Sequence, residues 1–364
     1  AEDAAGRMIH KLSEHENFRR MPGTQVLGVD GNSLLCESPS GVVRIEFEKL
    51  IIATGARELL LPFPGWTLPN VFGAGGLQAL VKGGLDVSGK RIVIAGTGPL
   101  LLAVANYLRS KGARVLLIAE QAPRSRILRF GLGLWRSPLK FVEAVWYSAK
   151  LLTTRSVYDS YVVRAEGDER LRSVTVRIGA KTETIECDML GVGFHLVPNT
   201  ELAELFGCEI RNGAVVVDEF QRTTVENVWC AGEPTGISGL ESSLLEGTIA
   251  GSSAMGAPDS GRFLRRNRRI RRIADRMNHC YELREELRRL ADNATIVCRC
   301  EDATFGEMSK FDGFRAAKLQ TRCGMGACRG RICGSASRFL FGWEADSARP
   351  PIFPVRVSSL AGED

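Results

Sequence analysis

Short alternating runs open the chain. In "TQVLGVDGNSLLCES" and "GVVRIEFEKLIIATG" apolar residues recur at every second position, and the pairs Asp30-Gly31 and Ser40-Gly41 interrupt them. That pattern predicts strands joined by hairpin turns. The expected product is a small antiparallel meander, preceded by a helix over residues 7–19 and ending in a buried apolar strand, Leu50–Ala53. A Pro/Gly-rich stretch, "LPFPGWTLPNVFGAGG" (61–76), then reads as a crossing between domains.

From there the period changes. "KRIVIAGTGPLLLAVANYLRSKGARVLLIAE" (90–120) is an apolar strand, a Gly-rich turn, a helical stretch and a second apolar strand, the order of a βαβ unit. "FGLGLWRSPLKFVEAVWYSAKLL" has helical spacing, with Trp135, Trp146 and Tyr147 expected in the core. "RLRSVTVRIGAKTETIECDMLGVGF" reads as a hairpin followed by a buried strand. "VENVWCAGEPTGISGLESSLLEGTIAGSSA" (225–254) gives a strand, Val228–Ala231, a turn, and a helix from Gly239 or Leu240 that carries Gly247 and Gly251. Such alternation predicts an α/β fold with two Rossmann-like lobes.

A strongly basic stretch, 262–290, follows. Its Arg265, Arg268, Arg269, Arg272 and Arg276 fall on overlapping helical faces, with Ile270, Ile273 and Met277 placed to pack beneath. It reads as a linker helix, solvated or docked on an acidic partner. Nucleic-acid binding would call for aromatic or loop features that this stretch lacks.

Composition narrows the classes. With 364 residues, 44% hydrophobic and 25% charged, the chain is long enough for two or three domains with their own cores. The formal charge of +6 is concentrated in that one basic stretch, so it gives no whole-chain argument for a polyanionic partner. No apolar run approaches the roughly 20 residues that span a bilayer. The opening "AEDAAGRMIHKL" lacks the basic, apolar and small-residue order of a signal peptide, and a cytoplasmic location is expected. Of ten cysteines, Cys36, Cys187, Cys208, Cys230 and Cys280 are scattered and read as small buried hydrophobes, while five lie between 298 and 333. This distribution suits a reducing compartment and one thiolate-ligated metal centre better than a disulfide framework.

Three patterns carry candidate chemistry. In the βαβ unit, Gly96 and Gly98 allow a tight turn that brings N–H groups toward a pyrophosphate, and Glu120 closes the second strand where an acid accepts from a ribose hydroxyl. Leu101 stands at the third glycine position of G-x-G-x-x-G, where its side chain should push helix and strand apart or occlude the pyrophosphate. A dinucleotide site and a unit kept for packing both stay open. Second, Ala53, Thr54 and Gly55 end one apolar strand, and Gly232 and Glu233 end another. An acid at a strand's carboxyl edge can accept from sugar-alcohol hydroxyls, and the next helix's N-terminus offers partial positive charge to an electron-rich ring. That is how a flavin's ribityl chain is held; two ligand-free α/β turns are the alternative. His195, after a buried strand, is open between site and packing.

The third pattern is "VCRCED" with "TRCGMGACRGRICG". Cys298 and Cys300 form a C-x-C pair, and Cys328 and Cys333 a C-x4-C pair. Zinc sites more often use C-x2-C knuckles, whereas a [2Fe–2S] cluster needs two thiolates per iron. Gly324, Gly326, Gly330 and Gly334 free backbone N–H groups for sulfur, and Arg322, Arg329 and Arg331 add compensating charge.

Resemblance adds to these readings. "ATGAR" and "CAGEPTG...EGTIAG" resemble flavin motifs of the two-dinucleotide-binding flavoproteins related to glutathione reductase, in which a nicotinamide-type domain is inserted into the flavin domain. That superfamily usually has Asp where Glu233 stands. "PFPGWTLPNVFGAGGLQALVKGGL", "AGTGPLLLAVANYLRSKGARV", "LVPNTELAELFGC", "CAGEPTGISGLE" and "VCRCED...KLQTRCGMGACRGRICG" resemble the FAD-dependent larger subunit of opine oxidases, D-hydroxyproline dehydrogenases and bacterial hydrogen cyanide synthase. The last of these words is similar to the bacterioferritin-associated-ferredoxin type of [2Fe–2S] domain. In that pattern Cys298, Cys300, Cys328 and Cys333 are the ligands, and Cys323 is the spare, close enough to stand in.

The resemblance implies a partial FAD-binding domain over 1–75, an inserted NAD(P)-binding-like domain over 76–190, the rest of the FAD domain over 191–256, the basic linker over 257–293 and the [2Fe–2S] domain over 294–364. Family members begin with a strand, G-x-G-x-x-G and helix that hold the FAD adenosine diphosphate. No such segment precedes "AEDAAG", so the chain reads as a fragment with an incomplete FAD site. The implied function is electron transfer in a heteromeric dehydrogenase of an amino acid or secondary amine, of the opine, hydroxyproline, proline or glycine class. The implied partner is a flavin-containing subunit like glycine or D-amino-acid oxidase. Further candidates are a small ferredoxin-like protein in the same complex and a peripheral respiratory acceptor. NAD(P) binding stays open, with Leu101 against it. The alternatives are a stand-alone NAD(P)H-dependent flavin oxidoreductase and a non-catalytic metal-binding or assembly subunit.

Overall fold

The structure is a computed structural model that describes residues 2–133, 154–257, 261–344 and 348–361. Trp135, Trp146 and Tyr147 lie outside the described residues. The chain divides into two compact units, Ala1–Glu48 with Ala348–Asp364, and Lys49–Ser347.

In the first unit, α1 (Glu2–Ser13) starts and stops earlier than the expected 7–19. The Ser13 hydroxyl turns back to the Ile9 carbonyl at 2.9 Å, a local bond that competes with continuing the helix. The meander follows as expected: β1 (Gln25–Asp30), β2 (Ser33–Ser38) and β3 (Gly41–Glu46) pair antiparallel in that order. Both predicted turns hold, with Gly31 at φ +56°. Residues 348–361, assigned from sequence to the cysteine-bearing domain, belong to this unit instead. Ile352 N donates to Leu27 O at 2.8 Å, and Arg356 Nε reaches Glu37 Oε1 at 3.1 Å.

The second unit begins with β4 (Leu50–Ile52) and β5 (Ala56–Glu58), then β6 (Val71–Gly73) and α2 (Ala74–Lys82). The predicted βαβ unit is β7 (Arg91–Gly96), α3 (Leu100–Ser110) and β8 (Arg114–Glu120). After α4 (Arg124–Gly133), β9 (Arg155–Val157) joins the same sheet. The expected hairpin is in place as β11 (Ser173–Ile178) and β12 (Lys181–Glu186), paired antiparallel beside β10 (Ser160–Glu166). The buried strand is β13 (Met189–Gly193), and it completes a five-stranded parallel sheet of order β6-β13-β7-β8-β9. One core contains Val93, Leu117, Leu190 and Phe63, another Ile92, Ile94, Val104 and Leu108. Each fully buried side chain of this size contributes about 1.5–3 kcal/mol.

The chain then returns through β14 (Leu196–Pro198), α5 (Glu201–Leu205), β15 (Ile210–Arg211) and β16 (Ala214–Val215) to β17 (Val228–Cys230). β17 pairs parallel with β4, although they are far apart in sequence. α6 (Leu240–Ala254) and the basic helix α7 (Arg262–Cys280) follow. The buried face of α7 differs from the expected apolar one: Asn267, Ala274 and Cys280 are buried, while Ile270, Ile273 and Met277 are only partly covered. Its arginines find acids within the chain, Arg266 on Glu241 and Arg268 on Glu219.

The cysteine-bearing part is built from β18 (Ile296–Cys298), β19 (Ala303–Thr304), α8 (Phe305–Met308), α9 (Phe314–Thr321) and α10 (Arg331–Phe341). Among the described residues no helix is long and apolar enough to cross a membrane.

Candidate functional site

The parallel pairing of β4 with β17 brings the two strand ends together: Ala231 N donates to Ile52 O at 2.9 Å. Beyond β4 the chain turns through Ala53, Thr54 and Gly55, with Gly55 at φ +71°, a region open to glycine. Asn199 holds this turn from outside. Its carbonyl accepts from Thr54 Oγ1 at 2.6 Å, its Nδ2 donates to Thr54 O at 2.9 Å, and its N–H donates to Gly55 O at 3.0 Å.

Beyond β17, Gly232 turns with φ +83° and Glu233 follows. Glu233 Oε1 accepts from Gly239 N, at the head of α6, at 2.8 Å. Its Oε2 is buried and has no hydrogen-bond partner among the described residues. Burial pushes the carboxyl above the ordinary range, opposed by the Gly239 and Ser238 N–H groups. An acceptor oxygen buried without a donor is costly, and a ligand hydroxyl would satisfy it. These residues therefore fit the sugar-alcohol end of a flavin.

Sequence reasoning missed what holds this turn. Glu246 is fully buried on α6 and accepts from Gly232 N at 2.9 Å, Ser242 Oγ at 2.9 Å and Arg271 Nε at 2.7 Å. Asn267 Oδ1 also lies 2.7 Å from Ser242 Oγ, competing for its one proton. The available signal was helical spacing: Ser242, Leu245, Glu246, Ile249 and Ala250 form one buried stripe, with an acid inside it.

In the βαβ unit the groups expected to face a nucleotide face each other. Gly98 N donates to Glu120 Oε2 at 2.7 Å, and Ala122 N donates to Oε1 at 2.8 Å. The Thr97 hydroxyl lies 3.0 Å from Oε1, and Glu120 is only 6% exposed. Burial raises its pKa to about 7. The carboxyl ends of β7 and β8 carry residues of the chain that follow α7. Gln121 Nε2 donates to Glu282 O at 3.1 Å, Arg284 N donates to Gln121 Oε1 at 3.2 Å, and Tyr281 O lies 3.1 Å from the Thr97 hydroxyl.

Leu101, expected to push helix and strand apart or to occlude a pyrophosphate, is accommodated by a glycine on a neighbouring strand. It is 1% exposed and sits over Gly193 of β13, where a Cβ would meet Leu101 Cδ2 at 3.3 Å. Gly96 is required for the same packing, since a Cβ there would lie 1.9 Å from Gly193 O. His195 has φ +126°, and burial lowers its pKa.

In the third region, Cys298, Cys323 and Cys333 are all buried, and their Sγ atoms lie within 4.8 Å of one another. Cys300 and Cys328, the other two of the expected quartet, are not in that group, and the neighbouring Cys333 thiol lowers the Cys328 pKa to about 5. Of the expected quartet, Cys300 alone is exposed. S–H donors from Cys323 and Cys333 push the Cys298 thiol well down, and their shared protons push those two up. Backbone N–H groups of Gly324 and Glu301 donate to Cys298, and those of Ile332 and Gly330 to Cys328. Gly326 cannot be larger, because a Cβ there would lie 2.2 Å from the Cys300 Cβ. Converging thiols with backbone donors fit a thiolate-ligated cluster. Cys36, Cys187, Cys208, Cys230 and Cys280 are free and buried, as expected of small core residues.

One side chain joins the first and third regions. Arg57, in "ATGAR", donates from Nη1 to Asn199 Oδ1 at 2.7 Å, pairs with Glu201 at 2.9 Å, and donates from Nε to Arg331 O at 3.2 Å.

Comparison with known proteins agrees with this architecture. The family described as pyridine nucleotide-disulphide oxidoreductase matches residues 2–244. Hydrogen cyanide synthase subunit HcnB of Pseudomonas protegens is 31% identical, over 85% of this chain and 73% of that protein. The opine oxidase A subunit of Rhizobium meliloti is 30% identical, over 88% of this chain and 77% of its own. Among solved structures, L-proline dehydrogenase from P. horikoshii superposes with a TM-score of 0.70 and 18% identity, covering 98% of this chain and 68% of that one. That likeness carries the fold.

Proposed function

The chain belongs to the pyridine nucleotide-disulphide oxidoreductase family and, within it, to the group of hydrogen cyanide synthase HcnB and the opine oxidase A subunit; from that premise we propose that it is the electron-transfer subunit of a heteromeric dehydrogenase. Its donor would be an amino acid or secondary amine of the opine, proline, hydroxyproline or glycine class. Ala53, Thr54, Gly55, Gly232 and Glu233 would hold FAD. Cys298, Cys300, Cys328 and Cys333 would hold a [2Fe–2S] cluster. Bound together, a flavin exchanges two electrons or one and a cluster one at a time, so the pair converts two-electron into one-electron chemistry.

The observation that carries this reading is the Arg57 bridge, which ties the Gly55 turn to the loop between Cys328 and Cys333. The protein's own work is positional: Asn199 and Glu246 fix the two turns, Glu233 offers a buried acceptor, and backbone donors offset negative charge on sulfur. The oxidising partner would be a flavin-containing subunit of the glycine or D-amino-acid oxidase type, in the cytoplasm. A self-contained NAD(P)H reductase is less well supported, because Gly98 N is spent on Glu120 and Tyr281–Arg284 line the strand ends where a nucleotide would bind.

The test is anaerobic purification with iron, acid-labile sulfide, zinc and flavin measured per chain, and EPR recorded before and after dithionite. About two irons with a reduced [2Fe–2S] signal support the reading. Zinc, or no metal in a normally folded chain, overturns it. Bleaching of the flavin by NADH without a partner would favour the self-contained reductase.

A further inference from the structure

A thiol outside the expected quartet converges with two of its members: the Sγ atoms of Cys298, Cys323 and Cys333 lie within 4.8 Å of one another. Cys300 and Cys323 differ in burial. Cys300 is exposed, and Cys323 is completely buried, so the most protected set of four is Cys298, Cys323, Cys328 and Cys333.

The inward position of Cys323 is built by the backbone. Arg322 ends α9 in the left-handed region at φ +62°, an unfavourable conformation for a side chain that carries a Cβ. Gly324 follows at φ +83°. Arg322 Nε donates to Glu301 Oε2 at 2.8 Å, which fastens this turn to the residue after Cys300. Cys323 is packed in an apolar cluster with Val297, Met308 and Phe314, and within that cluster its sulfur meets two other buried sulfurs, those of Cys298 and Cys333.

Resting on the cluster reading above, we infer that Cys323 is an exchangeable fifth ligand, able to take the iron position of Cys300. In the exchange the bond from iron to Cys300 sulfur breaks and one to Cys323 sulfur forms. The proton leaving the Cys323 thiol is matched by one taken up by Cys300, so net charge is unchanged and no oxidant or reductant is needed. Cys298, Cys328 and Cys333 are common to both sets. The device lets the exposed thiol be lost or modified without release of the cluster.

The experiment compares Cys300→Ala, Cys323→Ala, the double variant and Cys328→Ala in the complete protein. Alanine is used because a serine oxygen can itself ligate iron. The readouts are iron and sulfide per chain and the EPR g-values after dithionite. Expected is full iron in both single variants at 300 and 323, with shifted g-values only for Cys300→Ala, and loss of iron in the double variant and in Cys328→Ala. Loss of iron in Cys300→Ala to the level of Cys328→Ala would overturn the exchange while leaving the cluster reading intact. Full iron in the double variant, or in Cys328→Ala, would overturn it as well. Wild-type protein without iron or sulfide would remove the cluster reading, and the exchange with it.

Discussion

Arg57 Nε donates to the carbonyl oxygen of Arg331 across 3.2 Å, so one guanidinium spans from the turn at Gly55 to the first residue of the helix that carries Cys333. The same guanidinium pairs with Glu201, which also lies 3.5 Å from Arg331 Nε. Two loops that carry different candidate cofactor ligands are thereby held by one partly buried cluster of charge.

Replacing Arg57 with Ala should loosen both loops at once. Hydrogen bonds to charged groups contribute about 1.5–3 kcal/mol each, and Arg57 makes two of them besides its ion pair. Hydrogen exchange should show residues 53–57 and 328–333 losing protection together. Loss confined to residues 53–57 would mean that the bridge does not couple the loops.

The carboxylate of Glu246 makes a second, sharper prediction. It is fully buried and its ion-pair partner, Arg271, is only about one-third exposed. Removing one partner of a buried pair typically costs about 3–5 kcal/mol, because the other charge stays uncompensated. Arg271→Ala should therefore lower the urea midpoint strongly. Arg268→Ala, which removes an exposed pair with Glu219, should cost less than about 1 kcal/mol. Equal effects would show that the Glu246 network is not what fixes the Gly232 turn.

What was legible in the sequence was whatever its local period dictates. The βαβ unit, the meander and both strand ends, at Gly55 and at Gly232, follow from alternation, glycine and apolar runs over a few residues. The pairing of β4 with β17 was not readable from periodicity, because it joins Leu50 to Val228. What the Leu101 side chain meets was unreadable for a related reason. Whether a side chain there obstructs depends on Gly193, a residue on a neighbouring strand. Glu120 shows the limit for candidate sites: its position predicts a ribose contact, but its burial and its donors direct it to the turn at Gly98. Cys323 is spare by motif but near enough to stand in; what the sequence did not show is the left-handed turn at Arg322 that precedes it.

Flavin retention should depend on Glu233. Its buried Oε2, which has no hydrogen-bond partner among the described residues, would accept from a ribityl hydroxyl in the proposed function, and a hydrogen bond to a charged group is worth about 1.5–3 kcal/mol. Glu233→Ala should release flavin about 10–100-fold more readily, read as the rise in free-flavin fluorescence on dilution of the protein. Unchanged retention would place the sugar-alcohol chain elsewhere.

Glu120 gives the pH dependence. Burial raises its carboxyl from the ordinary 4.5 to about 7, against the N–H groups of Ala122 and Gly98 and the Thr97 hydroxyl, which favour the ion. Between those two values the folded chain holds a proton that the unfolded chain releases. Stability from this group is therefore fully present below about pH 4.5, declines as pH rises, and is lost above about pH 7. Glu120→Gln cannot titrate and sets an amide hydrogen against one of the three donors, a cost that does not vary with pH. Urea unfolding across this window should show the stability of wild type relative to Glu120→Gln falling steadily as pH rises. A constant difference would mean that the three donors outweigh burial and hold the carboxylate ionised throughout.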